Sequence, residues 1–446
     1  MRLAGYTTVF VIACFWLSSI GMGPAKKDAT ELKTKSDVLT VFLTGNELGT
    51  MKPCGCSGGQ LGGFARRQAV LAKTPKARRL VLDTGELVGG DGPQDFLKFN
   101  VILQALKVLG YDVVNLTRRD LEIARNLGLL ENRVGDLKII SAGGVADVNI
   151  PVMFSKRMIL NGKEIAVAVA SFDWRSGGAE QIERLFASAS DVETVKILIV
   201  TGCEADRVGS LVDQVGFVDC VVCSDSSDRP MIIGDPDKRP LAVSAGRLGK
   251  YVGKLEIRAP KAKGPVKLTF SAVVVSEDLD PNEALVELYR RYQQLVRDSG
   301  ILQMQPRVSL SDGLRYMGSE SCKTCHEYAY EQWRKQGHAD AYEILEKVGT
   351  EYDPECVVCH VVGMRYETGF VGPDKTPQFK GVGCESCHGP GSEHIDSIGK
   401  KPTGEPRFTC EHCHTPDNSV NYDSNKAEYF EKTVHWTEPN ALGNVK

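Results

Sequence analysis

Cys322-Lys-Thr-Cys325-His326, Cys356-Val-Val-Cys359-His360, Cys384-Glu-Ser-Cys387-His388 and Cys410-Glu-His-Cys413-His414 all fall between Ser321 and Thr415. Each has the C-x-x-C-H form of a haem-c attachment motif. The spacing has a chemical reason. Two cysteines three apart lie on one short arc of backbone and can form thioethers to both vinyl groups of one porphyrin. The histidine that follows sits under the ring, where its imidazole can bind iron as the proximal ligand. Zinc knuckles and disulfides also use C-x-x-C pairs, but neither requires histidine at the next position. With 8 histidines among 446 residues, a histidine after all four pairs has a chance on the order of one in ten million. The sequence therefore predicts four covalently bound haem c groups. Their anchors are Cys322, Cys325, Cys356, Cys359, Cys384, Cys387, Cys410 and Cys413, and their proximal ligands His326, His360, His388 and His414.

Working outward, the length suggests two or three domains and a sizeable core. The net charge of −3 is nearly balanced, so nothing points to nucleic acid, and four haems would add roughly eight propionates. Residues 1–23 carry Arg2 and then an apolar run from Val9 to Ile20. That pattern reads as a secretory signal cut near Gly21 to Ala25, followed by a polar linker over 24–36. Export fits the motifs, because c-type haem is attached outside the cytoplasm; a periplasmic or other extracytoplasmic location is expected. Val11-Ile-Ala-Cys14 leaves two other readings open, lipidation at Cys14 and an uncleaved anchor, either of which would associate the chain with a membrane.

From Asp37 the pattern becomes strands alternating with helices. Val38–Leu43 is a continuous apolar run, hence a buried strand. Phe64–Lys73 reads as a helix, Arg79–Asp83 as a strand, Asp95–Leu109 as an amphipathic helix, and Asp112–Leu116 as a strand. A helix from about Asp120, a strand at Lys138–Ile140 and a hairpin around Asn161-Gly162 follow. Then come a strand at Lys196–Val200, a helix over Asp206–Val215, a strand at Val218–Val222 and β-rich sequence from Leu241 to Val275. This is an α/β domain with at least one mostly parallel sheet, spanning 37–275. Pro281–Ser299 reads as one helix docking between domains, inside a connector over 276–312. The haem domain runs over 313–446. Some 130 residues around four haems cannot build an ordinary side-chain core, so the porphyrins must supply it.

Several stretches of the α/β part carry a resemblance: Leu43-Thr-Gly-Asn-Glu-Leu-Gly49, Gly62-Gly-Phe-Ala-Arg-Arg67, Leu82-Asp-Thr-Gly-Glu86, Gly110-Tyr-Asp-Val-Val114 and Gly246-Arg-Leu-Gly-Lys-Tyr-Val-Gly253. Their layout resembles the calcineurin-like metallophosphoesterases, in particular the periplasmic 5′-nucleotidase branch. The resemblance implies a layered α/β sandwich. Such an enzyme needs carboxylates, histidines and an asparagine at the strand ends to hold two cations. Here the D-x-H positions read Asn46, Glu47 and Leu48, and G-N-H-E reads Thr117, Arg118, Arg119 and Asp120. The places of the later histidines are taken by Thr201-Gly202-Cys203 and Cys223-Ser224-Asp225, and no histidine precedes His326. No dinuclear phosphoesterase metal site is expected, and the domain reads as non-catalytic.

Beyond the eight motif cysteines stand Cys14, Cys54, Cys56, Cys203, Cys220 and Cys223. Cys54-Gly-Cys56 lies in a Gly-rich loop after the first strand. Loops at the carboxyl ends of strands converge on the ligand crevice, and the family alignment would bring Cys54, Cys56, Cys203 and Cys223 near the lost metal site. Three readings stay open: a redox-active Cys54/Cys56 pair coupled to the haems, a soft-metal site, or ordinary structural disulfides. Cys220, inside its strand, reads as a buried inert thiol.

In the haem domain, Tyr316-Met-Gly-Ser-Glu-Ser-Cys-Lys-Thr-Cys-His326, Trp333 with Gly337-His338-Ala339, and Gly383-Cys-Glu-Ser-Cys-His-Gly-Pro-Gly-Ser-Glu-His394 resemble the tetrahaem cytochrome c-554 family. The resemblance implies a mainly α, haem-packed domain in which His338, His394 and His435 are distal iron ligands. It leaves the second haem, on His360, with an open or weakly filled face, Met364 being a nearby candidate. His412, inside the fourth motif, is expected at the surface. Bis-imidazole ligation without methionine implies low potentials.

Together these readings give an exported multihaem c-type cytochrome that passes electrons through closely packed haems. The fused phosphoesterase-like domain serves docking or hosts a coupled cysteine redox site. The implied partners are other redox proteins, either donor and acceptor cytochromes or membrane quinone-linked complexes. The competing class is a redox enzyme reducing a small substrate at the open-face haem or at Cys54/Cys56.

Overall fold

Strand β1 (Val38–Thr44) shows why two sheets form. Leu39, Val41 and Leu43 point into one apolar cluster and Phe42 into another. Side chains alternate along a strand, so an apolar run buried on both faces needs cover on both sides. The computed structural model describes residues 37–54, 58–130, 137–144, 149–187, 193–202, 207–224, 226–259, 264–404 and 410–436. The expected signal, linker and Cys14 modification, and the Cys56 and Cys203 thiols, lie outside the described residues.

The remaining strands are β2 (Arg79–Asp83), β3 (Val113–Asn115), β4 (Lys138–Ile140), β5 (Met153–Leu160), β6 (Lys163–Asp173), β7 (Thr194–Thr201), β8 (Cys220–Cys223), β9 (Leu241–Ser244), β10 (Tyr251–Arg258) and β11 (Lys267–Val274). They form one sheet in the order β11-β10-β1-β2-β3-β4 and another in the order β5-β6-β7-β8-β9. Pairing is parallel from β1 to β4 and from β6 to β9, with β10, β11 and β5 antiparallel.

The helices between them are α1 (Phe64–Ala72), α2 (Pro93–Leu109), α3 (Arg118–Asn126), α4 (Ala179–Phe186), α5 (Val208–Val212) and α6 (Glu283–Ser299). Leu80, Leu82 and Val113 of the first sheet meet Val167, Ile197 and Val222 of the second between the sheets. Helices α1, α2, α3 and α6 cover the outer face of the first sheet, and α4 and α5 that of the second. The result is an α/β/β/α sandwich. Each fully buried Leu, Ile, Val or Phe contributes about 1.5–3 kcal/mol.

Local chemistry sets the element ends. Pro93 opens α2 at a position where its missing N–H costs nothing, Asp95 accepts the Gly92 N–H at 3.1 Å, and Gly110 closes the helix in the left-handed region. Asn161 and Gly162, with φ of 50° and 79°, make the tight turn that sets β5 against β6 in register Leu160↔Lys163. Helix α5 is shorter than the Asp206–Val215 span expected; Gly209 weakens its interior and the chain turns after Val212. Among the described residues no helix is long and apolar enough to cross a membrane.

The loops at the carboxyl ends of β1 and β2 are held by a buried polar cluster. Arg67 of α1 and Glu47 pair at 2.7 Å with almost no exposure. Arg67 also donates to the Tyr111 hydroxyl at 3.0 Å, Tyr111 lies 2.9 Å from the Thr44 hydroxyl, and Thr44 donates to Asp83 at 2.6 Å. Burial works against the Arg67 charge, but Glu47 and Tyr111 outweigh it and keep the guanidinium protonated. A Cβ on Gly249 would run into that guanidinium. Asn46, Leu48, Glu86 and Leu248 all have φ of 50–58°, a conformation that costs a non-glycine residue free energy and persists where the surroundings enforce it. The enforcement is visible: Asn46, Leu48 and Gly49 N–H groups donate to Gly85, Glu86 and Leu87 carbonyls at 2.7–3.1 Å, and Leu248 N–H to Asn46 at 2.9 Å.

Burial, and the nearby Glu47 charge, push the Asp83 carboxyl up to about 7 from its ordinary 3.8. The folded state then holds a proton that the unfolded chain has released, so stability is greatest below the ordinary value and is lost as pH rises through about 7. Urea titrations between these limits should show wild-type stability falling by on the order of 4 kcal/mol relative to Asp83→Asn. Parallel profiles for the two proteins would mean that Asp83 ionises normally.

Candidate functional site

After α6 the helices become short: α7 (Ile301–Met304), α8 (Glu320–Lys323), α9 (Glu327–Trp333), α10 (Ala341–Val348), α11 (Pro354–Val357), α12 (Cys384–His388), α13 (Ser392–Asp396), α14 (Cys410–Cys413) and α15 (Lys426–Glu431). Their apolar cluster is small, centred on Leu302, Tyr342, Leu345, Val357, Phe370 and Phe379. Met364 is packed inside it rather than along the cavity described below. Each C-x-x-C-H motif begins on a single helical turn, where residues three apart are neighbours. The turn closes through the histidine: His326 N–H donates to Cys322 at 3.0 Å, and His414 N–H to Cys410 at 2.7 Å.

The histidines form three facing pairs. Ring centres lie 6.0 Å apart for His326 and His394, 6.3 Å for His338 and His414, and 6.2 Å for His388 and His435. An imidazole nitrogen binds a metal at about 2.0 Å and lies roughly 1.1 Å from its ring centre, so two imidazoles across one ion stand about 6.2 Å apart. The spacing fits iron between each pair. Second contacts orient the rings. Nδ1 of His394, His435 and His360 lies 2.8, 2.7 and 2.6 Å from the carbonyls of Lys401, Thr433 and Ala341, and that of His414 lies 2.8 Å from the Ser419 hydroxyl. A ring that donates Nδ1–H in this way turns Nε2 toward the metal. Among the described residues the facing pairs leave out His360, and His412 is exposed.

A cavity of about 2100 Å³ lies against the second, third and fourth motifs, about twice the largest ordinary small-molecule site. Ile344, Val348, Val420, Phe430 and Trp436 turn apolar surface to it, as a flat apolar ring requires. The side chains of Cys322 and Cys384 are neighbours, as are those of Cys359 and Cys413, so the first motif adjoins the third and the second adjoins the fourth. The donor set, ring spacing and apolar lining all suit haem c.

The other cavity wall comes from the α/β part, at Leu48–Cys54, Gln60, Lys98, Ser226–Arg229 and Arg247–Tyr251. Sequence reasoning did not anticipate this. Polar contacts clamp the two parts together. Lys98 pairs with Glu355, the residue before Cys356, and Asp353 accepts from Gln94 at 2.8 Å and Gln293 at 2.9 Å. Lys250 reaches Asp417 at 2.6 Å, and Gln60 donates to the Asn418 carbonyl at 3.0 Å. Both clamps land beside haem motifs.

Of the four cysteines that the family alignment would bring together, Cys54 and Cys223 lie within the described residues. Cys54 is disulfide-bonded and lines the cavity. Cys223 is buried with Val221 and Ala242 under α4 and α5, because alternation along β8 turns it away from the inter-sheet side where Cys220 points. Burial raises the Cys220 thiol far above its usual range. Among the described residues no group of three or more His, Cys, Asp or Glu side chains is placed to hold a metal ion.

Residues 321–389 match the family model described as "Cytochrome c554 and c-prime". Over 98 residues the chain is 35% identical to "Cytochrome c-554" of Nitrosomonas europaea, covering 19% of this chain and 42% of that protein. The chain thus spans less than half the length of that relative. The structure is also similar to a calcineurin-like phosphoesterase, YfkN, from Bacillus subtilis (TM-score 0.44, 16% identity, 58% of this chain and 97% of that one). A 5′-nucleotidase precursor from Thermus thermophilus gives 0.45 and 17%, with 61% of each chain covered. These two likenesses are of layout.

Asp353→Ala would release Gln94, Gln293 and the Glu355 N–H, which Asp353 accepts at 3.1 Å. Leaving such buried groups unpaired costs about 1–3 kcal/mol each at most. Limited proteolysis should cut the variant faster between the two parts than wild type; equal rates would show that the clamp does not hold them.

Proposed function

We propose that this chain is an exported tetrahaem c-type cytochrome that transfers electrons. The observation that carries the reading is the set of three histidine pairs at 6.0–6.3 Å, each joining a motif histidine to one outside the motifs. In this reading Cys322, Cys325, Cys356, Cys359, Cys384, Cys387, Cys410 and Cys413 are the thioether anchors, and His326, His360, His388 and His414 the proximal ligands. His394, His338 and His435 are the distal ligands of the first, fourth and third haems. Haem c held this way supplies one-electron transfer at low potential, as bis-histidine ligation without methionine implies. The proteins that give and take the electrons are other redox carriers outside the cytoplasm.

The proposed organisation is a signal at 1–23, a linker at 24–36, an α/β domain at 37–275, a connector at 276–312 and the haem domain at 313–446. The α/β domain is taken as non-catalytic and without a dinuclear metal site. Arg67 supports this, since its guanidinium already neutralises Glu47 at the strand ends. Manganese-supplemented phosphatase assays should show no turnover.

A second reading, reduction of a small substrate, rests on two observations. His360 lacks a facing histidine, and the Cys54 disulfide lines the same cavity as Cys359 and His360. Whole-protein mass with EPR of the oxidised protein tests both readings. The electron-carrier reading expects four haem additions, three low-spin signals and one high-spin signal. His394→Ala should keep the haem count and add a second high-spin signal. A mass lacking the four additions would sink the proposal, and four low-spin signals would remove the open-face enzyme reading.

A further inference from the structure

The two walls of the cavity carry opposite charge. The α/β wall presents Lys52, Lys98, Arg229, Arg247 and Lys250 against one acid, Asp228. The facing wall presents Asp353, Glu355, Glu411 and Asp417 against one cation, Lys432. Two pairs close across the gap, Lys98 with Glu355 and Lys250 with Asp417. The other α/β cations are less well matched. Arg247 shares Asp228 with Lys250, at 3.1 and 2.5 Å. Lys52 and Arg229 have no carboxylate within ion-pair distance among the described residues; each instead lies over a tyrosine ring, Tyr289 at 5.3 Å and Tyr251 at 5.9 Å.

These cations follow strand ends. Lys52 comes after β1, Arg229 after β8, and Arg247 after β9. The crevice outside the carboxyl ends of parallel strands is where an α/β sheet binds its ligand. In this chain that crevice opens on the second and fourth haem motifs, whose Cys359, His360, Cys413 and His414 line the same cavity.

We propose that the ligand of the α/β crevice is the chain's own haem, with Lys52, Arg229 and Arg247 binding the propionate carboxylates of haem anchored at the second and fourth motifs. The inference rests on the four-haem reading above. Guanidinium groups match a carboxylate with two parallel hydrogen bonds, and an ammonium adds a point charge. A fixed cation beside a propionate also favours the reduced haem, because reduction adds one negative charge nearby. The α/β domain thus sets redox potential without touching iron.

The test is a spectroscopic potentiometric titration of the full-length holoprotein, wild type against Arg229→Gln, Lys52→Gln and their double variant, with haem content measured by mass on the same samples. Each lost cation should lower the midpoint of one or two haems, shifting the reduced-to-oxidised ratio by roughly tenfold, or about 59 mV for a one-electron couple. Arg229→Lys should restore much of the shift, separating a charge effect from a packing defect. Added phosphate at constant ionic strength should leave the wild-type midpoints in place. Midpoints unchanged in all variants would overturn the proposal. So would a saturable phosphate-dependent shift that Arg229→Gln abolishes, which would assign the wall to an external oxyanion. Fewer than four haems would instead overturn the reading beneath it, a result distinct from unchanged potentials in a four-haem sample.

Discussion

Imidazole rings whose centres stand 6.0–6.3 Å apart have the spacing of two imidazoles across one ion, and the C-terminal part is arranged around that separation. Its helices run mostly to a single turn and bury no long stripe of leucine. The carbonyls of Ala341, Lys401 and Thr433 aim the rings. Its own apolar cluster is modest, and a cavity of about 2100 Å³ lies beside its motifs.

The α/β part follows the opposite logic. Three continuous side-chain clusters fill the spaces between and outside two sheets, and that domain needs nothing inserted to be solid. Its strand-end loops, held in costly left-handed conformations by cross-loop hydrogen bonds, become the wall of the neighbour's cavity. The join between the parts depends on charge and side-chain amides more than on apolar area. Asp353 is its centre, capping α11 while gripping α2 and α6.

How much could be read in advance varied with the range of the interaction. The C-x-x-C-H motifs are legible because covalent chemistry fixes their spacing. The Asn161-Gly162 turn is legible because few residues tolerate two successive left-handed positions. The α/β class followed from apolar runs such as β1, and the layered sandwich from the family likeness. The partners of His326, His388 and His414 lie far along the chain, and no local pattern names them; a family likeness supplied those names. Lys98 with Glu355 and Lys250 with Asp417 were invisible, since a charged residue in sequence looks the same whether it faces water or another domain. The face that Cys223 takes is not given by its position at a strand end; its two-residue offset from Val221 does give it. Arg67 did leave a signal, an arginine at a core-facing position of α1 beside Phe64, Val70 and Leu71.

That arginine has a wider consequence. The charge steadying the first two strand-end loops is bonded to the backbone of α1, and its partner Glu47 sits within the loop it shapes. A tethered cation cannot be chelated, exchanged for a neighbour in the periodic table or lost when the surroundings run short of it. The loop around Glu47 is consequently steadied by a charge that the chain carries in its own sequence.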